Sequence, residues 1–268
     1  IFVCFFVTTL PAFSLNQLQN PTFAGNSNNW TRDNSVSFGN LNFINYDGFS
    51  GGCFRGDLTS QNRHRDGMLH QRFTTPAYPV NCYVRIDHYD KWAGGTYAIS
   101  LQGTLRDTST GAYPNEGLVI SFLDDTALDN ASWVSTGWSS MAMLAPSTQH
   151  RVQVYFDCTT GAGSQAGAYV DNIYCNISPG NLTAVPSGSG VELNWSASTG
   201  QNVTLANYRV YRSLTSGGPY TFLNTVPAGT TTYTDPSPPT AEVIYYAVSD
   251  VDTAGDESPT SPEALYFP

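Results

Sequence analysis

Two stretches of this chain set aromatic rings beside charged and amide side chains at alternate positions. In "VNCYVRIDHYD" (80–90), Tyr83, Arg85, Asp87 and Tyr89 share one face of an extended strand. In "HRVQVYFDC" (150–158), Arg151, Gln153, Tyr155 and Asp157 do the same. Such sets suit a sugar. Rings cover the apolar C–H faces of the pyranose, and guanidinium, carboxylate and amide groups bond its hydroxyls. Trp92, in the turn "DKWAGG", extends the set at one edge. The candidate glycan-binding residues are Tyr83, Arg85, Asp87, Tyr89, Trp92, Gln153 and Tyr155. Trp133 and Trp138, in "ASWVSTGW", are further rings whose facing direction the periodicity does not fix. With 16 tyrosines in the chain, any single Tyr is better explained by cross-strand packing, so the weight rests on the set.

Catalytic patterns are weaker. Asp124 and Asp125 are the most conspicuous carboxylate pair, but adjacent strand residues point to opposite faces and the segment reads as a polar loop. A glycosidase needs two carboxyls at a defined gap across a cleft, which this pair does not supply. His64, His70, His88 and His150 lack metal-ligand spacing of the HExxH kind, and no GxSxG elbow occurs. His88 falls on the apolar face of its strand, and "RHRD" (63–66) reads as a solvated loop. The expectation is a protein that is not an enzyme and needs no cofactor for a reaction.

The strands that carry the candidate residues have apolar opposite faces. Val80, Cys82, Val84, Ile86 and His88 form one such face, and Val152, Val154, Phe156 and Cys158 form the other. Taken as antiparallel neighbours, the two strands turn these faces into one core and bring Cys82 opposite Cys158. That pairing leaves Cys53 with Cys175 by elimination, one of three connectivities open to four cysteines. All four precede residue 178, and none has CxxC spacing, which argues against zinc. The fifth, Cys4, lies in "IFVCFFVTTLPAFS" (1–14), an apolar run broken by Pro11 that reads as the tail of a truncated signal peptide and is too short to span a bilayer. An exported chain with an even cysteine count favours disulfides.

Composition points the same way. Aromatic residues make up 13% of the 268-residue chain and charged residues only 12%, so long helices with charged outer faces are excluded. A formal charge of −10 excludes nucleic acid and anionic membranes as main partners. The length suits two domains, each with its own core.

Residues 178–268 alternate short period-2 runs with turns. Val191, Leu193 and Trp195 share a face in "VELNW", as do Tyr208 and Val210 in "NYRVYR" and Ile244, Tyr246 and Val248 in "VIYYAVSDV". With "TTYTD" (231–235) and "YYAVSDVDTAGDES" (245–258), this segment resembles a bacterial fibronectin type III repeat, which implies an immunoglobulin-like sandwich serving as spacer or interaction module. It departs from that pattern at Ile244, where a corner Tyr is usual, and at Asp250, where a small apolar residue is usual.

Residues 15–177 open with "LQNPTFAG" and close with "AGAYVDNIYCNISP", with "GFSGGCFRG" and "MLHQRFTTP" between. This order resembles the jelly-roll carbohydrate-binding modules of galactose-binding-like fold. The resemblance implies glycan binding and a structural calcium ion held in part by Asp171. Ala24 stands where those modules often carry Glu, so calcium would lean on Asp171, backbone carbonyls and Asp47 or Asp57.

The sequence therefore predicts an all-β chain: a leader over 1–14, a jelly-roll β-sandwich over 15–177 and an immunoglobulin-like sandwich over 178–268. Its expected role is that of a secreted, non-catalytic binder of polysaccharide, or an accessory part of a polysaccharide-degrading system. The competing role is a surface adhesin or appendage subunit, self-associating or attached to a surface complex through the edges of its sandwiches.

Overall fold

The structure, a computed structural model, describes residues 16–19, 23, 28–33, 40–48, 51–59, 64–92, 97–111, 115–125, 132–160, 165–198, 200, 204–240 and 243–268. The expected leader lies outside the described residues. The regular elements are β1 (Thr31–Asp33), β2 (Asn40–Gly48), β3 (Gly51–Thr59), β4 (His64–Thr74), β5 (Val80–Trp92), β6 (Tyr97–Asp107), β7 (Gly117–Asp125), β8 (Val134–Ser135), β9 (Ala142–Leu144), β10 (Gln149–Thr160), β11 (Gln165–Ile177), β12 (Gly180–Ser187), β13 (Gly190–Ser196), β14 (Leu205–Ser213), β15 (Thr221–Pro227), β16 (Thr232–Asp235), β17 (Ile244–Asp252) and β18 (Ala264–Tyr266). The described chain is all-β. It divides into two compact units, which meet in sequence between Ile177 and Ser178.

The unit Asn16–Ile177 is a jelly-roll sandwich. One sheet has the order β1-β4-β10-β6-β7, and the other has β2-β3-β11-β5-β8 with β9 also paired to β5. Alternation builds β5: Val80, Cys82, Val84 and Ile86 are fully buried, while Tyr83, Arg85 and Tyr89 on the other face are half-buried. From the opposite sheet, Leu69, Leu101, Leu105, Val152 and Val154 enter the same core. Each such apolar side chain contributes about 1.5–3 kcal/mol by leaving water.

This placement overturns one expectation. β5 and β10 are not neighbours; β5 pairs with β11, β8 and β9, and β10 pairs with β4 and β6. Their apolar faces do meet the same core, but from opposite sheets. Alternation fixes which face of a strand turns inward and says nothing about which strand lies beside it.

Three loop expectations are corrected as well. Asp124 and Asp125 continue β7 opposite Gln102 and Leu101, and His64 to Asp66 open β4 opposite Thr159 to Asp157. Trp92 ends β5, paired with Ala166, instead of lying in a turn. Polar residues at strand ends hide the period-2 signal while the backbone ladder continues.

β11 carries the local feature that shapes the outer surface. Its pairing with β5 shifts register between Asp171 and Tyr174, and Asn172 there has φ 49°. Asparagine is among the few side chains that tolerate this left-handed conformation. The bulge sets Tyr169 opposite Tyr89 on one side and Tyr174 opposite Arg85 on the other.

The unit Ser178–Pro268 is an immunoglobulin-like sandwich of a three-stranded sheet, β12-β13-β16, and a four-stranded sheet, β15-β14-β17-β18. Its core joins Val191, Leu193 and Trp195 to Tyr208, Val210, Ile244, Tyr246 and Val248. Trp195 meets Tyr208 edge-on with centroids 5.3 Å apart. Ile244 is buried without a hydroxyl, and Tyr246 provides one instead, donating to Asp235 at 2.8 Å. Arg212 donates to the same carboxylate oxygen. Asp250 is fully buried in β17, and its backbone N–H donates to the Ser258 hydroxyl.

Candidate functional site

The outer face of β5 and β11 gathers aromatic rings around one guanidinium. Arg85 lies 5.6 Å from the ring centroid of Trp138 and 5.2 Å from that of Tyr174. It also reaches Asp87 at 3.5 Å. Tyr83 lies 6.4 Å from Trp138, and Tyr89 lies 5.8 Å from Trp133 and 5.4 Å from Tyr169. Cation–ring and ring–ring contacts of this kind hold flat side chains in fixed orientation, which a stacking surface requires.

The segment after residue 131 brings the two tryptophans to this face. It runs along the edge of β5 without forming a continuous strand. Thr136 N–H donates to the Ile86 carbonyl, and Ile86 N–H donates back to the Thr136 hydroxyl at 3.1 Å. Ser139 repeats the arrangement with Val84, its N–H to the carbonyl at 2.9 Å and its Oγ accepting from the N–H at 3.0 Å. Gly137, at φ 65°, makes the turn between these clamps. The next residue, Trp138, is therefore held over Tyr83 and Arg85 while remaining 39% exposed. Met141 and Met143 are exposed just beyond it.

Asp87 is nearly buried beneath this surface. Its Oδ2 accepts from the Asn172 side-chain amide at 2.8 Å as well as from Arg85. Asp171 stands opposite Asp87 across the β5–β11 ladder, and its Oδ1 accepts from the Asn172 N–H at 2.7 Å. Asn172 thus links two buried carboxylates, which gives the bulge a structural reason beyond its backbone geometry. The calcium expected from Asp171 would draw also on backbone carbonyls and on Asp47 or Asp57. Among the described residues no cluster of three metal-ligating side chains occurs, and Asp87 is engaged by Arg85 and Asn172. Calcium takes six to eight oxygens. The side chains of Asp47 and Asp57 lie outside the described residues.

Of the seven candidate residues, Tyr83, Arg85, Asp87 and Tyr89 come together. Gln153 and Tyr155 belong to β10 in the other sheet, so the single shared face expected for all seven does not exist. Gln153 is fully buried, and neither of its amide atoms has a hydrogen-bond partner among the described residues. Trp92 sits at the far end of β5, and its side chain lies outside the described residues. Trp133 and Trp138 join the site with defined orientation. Tyr169 and Tyr174 were missed by the sequence reading because the bulge at Asn172 obscures their register against β5.

Cys82 and Cys175, both free thiols, lie close together. Cys82 Sγ lies 3.0 Å from Cys175 Sγ, bringing together one member of each expected pair. Cys158 pairs in the backbone ladder with Arg65 and Ile99, in the sheet that does not contain Cys82.

A second polar group lies on the outer face of β10. Arg151 and Glu116 form an ion pair with both side chains almost fully buried. Arg72 reaches the same carboxylate at 3.4 Å, and Arg106 donates to the Glu116 carbonyl at 3.1 Å. Arg72, Arg151 and Arg106 stand in one row across β4, β10 and β6. The carboxylate offsets this concentration of positive charge.

No family model matches the chain, and no curated protein sequence matches it. Among solved structures, an Fn3-like protein from Clostridium thermocellum is 37% identical over 34% of this chain and 92% of its own, with a TM-score of 0.29. The module TmCBM61, solved in complex with β-1,4-galactotriose, is 15% identical over 60% of this chain and 98% of its own, with a TM-score of 0.36. Pectate lyase Pel3 from Pectobacterium carotovorum is 21% identical over 34% of this chain and 26% of its own, with a TM-score of 0.30. None of these superposes on the chain as a whole. The likeness is partial: one stretch to an Fn3-like protein, another to a carbohydrate-binding module.

Proposed function

We propose that this chain is a non-catalytic, exported carbohydrate-binding protein whose site is the outer face of β5 and β11. The observation that carries this reading is Arg85, held between Trp138 and Tyr174 with Asp87 beside it. Trp138 supplies a ring to stack on a sugar, and Tyr83, Tyr89 and Trp133 extend the aromatic surface along the strand. Arg85 supplies donors for ring hydroxyls. Its side chain is held by the flanking rings and by Asp87, so little rotamer freedom is lost on binding. Trp138, 39% exposed, presents the ring that a sugar unit of a polymer would meet first. The unit Ser178–Pro268 serves in this reading as a spacer.

Affinity electrophoresis through gels containing single polysaccharides tests the proposal. The wild-type chain is expected to be retarded by at least one neutral polysaccharide, and Trp138→Ala to run faster in the same gel. Equal migration of both proteins across a panel of galactans, glucans, mannans and xylans would remove the basis for the reading.

A further inference from the structure

We propose that Cys82 and Cys175 are joined by a disulfide that staples β5 to β11 inside the sandwich. The two strands are hydrogen-bonded neighbours, with Cys82 opposite Ile177 and Cys175 opposite Val84. The cysteines are therefore diagonal, and both point into the core, where both are fully buried. Their sulfurs lie 3.0 Å apart. A bonded pair sits at about 2.0 Å, so closing the bridge requires roughly 1 Å of sulfur movement. The backbone of Cys175 is held on its other side, with its N–H donating to the Asn16 side chain and its carbonyl accepting from the Gln17 N–H.

Burial also sets when the bond forms. It pushes the Cys175 thiol well above the ordinary range, with the neighbouring Cys82 acting in the same direction. A buried neutral thiol is a poor nucleophile. The bridge therefore closes while the sheet is assembling, by thiol–disulfide exchange with a small-molecule disulfide such as oxidised glutathione. One cysteine thiolate attacks that disulfide and releases one glutathione thiolate, leaving a mixed disulfide. The second cysteine thiolate then attacks the mixed disulfide and releases the other glutathione. Two protons pass from the cysteines to the two glutathiones, and the two electrons lost by the cysteines reduce the oxidant.

The test uses the full wild-type chain, refolded with reduced and oxidised glutathione. It is then unfolded, alkylated with iodoacetamide without reduction, and digested with an aspartate-specific protease. Cleavage before Asp157 and before Asp171 places Cys158 and Cys175 on separate peptides. The expected product is a linked pair of peptides, one with Cys82 and one with Cys175, two hydrogens lighter than their sum and separating on reduction. Linkage of Cys82 to Cys53 or Cys158 would overturn the proposal. Full alkylation of both Cys82 and Cys175 after this refolding would overturn it equally.

Discussion

Arg85 and Tyr174 face each other across β5 and β11, with the guanidinium carbon 5.2 Å from the ring centroid. Trp138 reaches the same guanidinium from the edge segment beside β5. Two rings from separate elements thus fix one cation, and only the tryptophan presents substantial area to solvent.

Trp138→Ala is expected to weaken glycan retention by about 1–2 kcal/mol, roughly fivefold to thirtyfold in affinity. The indole is 39% exposed, so the melting temperature should fall by only about 2–4 °C. Gel retardation and calorimetry on the same preparation separate the two effects.

Tyr155→Ala provides the contrast. Tyr155 lies on β10, in the sheet opposite the proposed site, so retention should be unchanged. A loss as large as that of Trp138→Ala would move the site to the other sheet. On the same strand, Gln153 is fully buried with both amide atoms unpartnered among the described residues. Gln153→Met removes an uncompensated polar group while keeping its volume. It should stabilise the fold by about 1 kcal/mol, or roughly 3 °C in Tm. A lower Tm would indicate that ordered water satisfies the amide.

Glu116→Gln should be severe. The carboxylate lies against Arg151, and both side chains are almost fully buried. Removing the negative charge deprives a buried guanidinium of this ion pair. The expected cost is about 3–5 kcal/mol, read as a fall of roughly 10 °C in Tm. A fall of less than 2 °C would show that Arg151 reaches solvent or finds another acceptor.

His150 makes stability depend on pH. It is buried, with its ring 5.7 Å from that of Phe73. Burial pushes its pKa below the ordinary 6.5, and nearby Asp107 only partly opposes this. As pH falls through about 6.5, the unfolded chain takes up a proton that the folded chain does not. Stability therefore drops over that range and levels off once the folded form is also protonated. Urea midpoints at pH 7.5, 6.5 and 5.5 should fall more steeply for wild type than for His150→Leu. Parallel pH profiles for the two proteins would contradict this assignment.

Much of the architecture was legible in the sequence, because period-2 alternation is written directly into segments such as "VNCYVRIDHYD" and "VELNW". The inward faces of β5 and β10 follow from it. Neighbour relations do not, since Val84 and Val154 can meet in a core from one sheet or from two. That gap misplaced Gln153 and Tyr155, and it set Cys82 beside Cys158 where the neighbouring strand brings Cys175. The bulge at Asn172 hid Tyr169 and Tyr174, because one extra residue changes which side chains share a face without changing the residue types. Trp133 and Trp138 resisted reading for a different reason. Their segment is positioned by the hydroxyls of Thr136 and Ser139, which carry no periodic signal.

Those same two hydroxyls bear on how the molecule behaves among its own copies. A long margin strand such as β5 would normally display a row of amides that a visiting chain can zip onto. Here the Val84 and Ile86 amides are already taken by Ser139 and Thr136, and β8 and β9 close the neighbouring positions. From Val80 to His88 that margin is therefore occupied from within the fold.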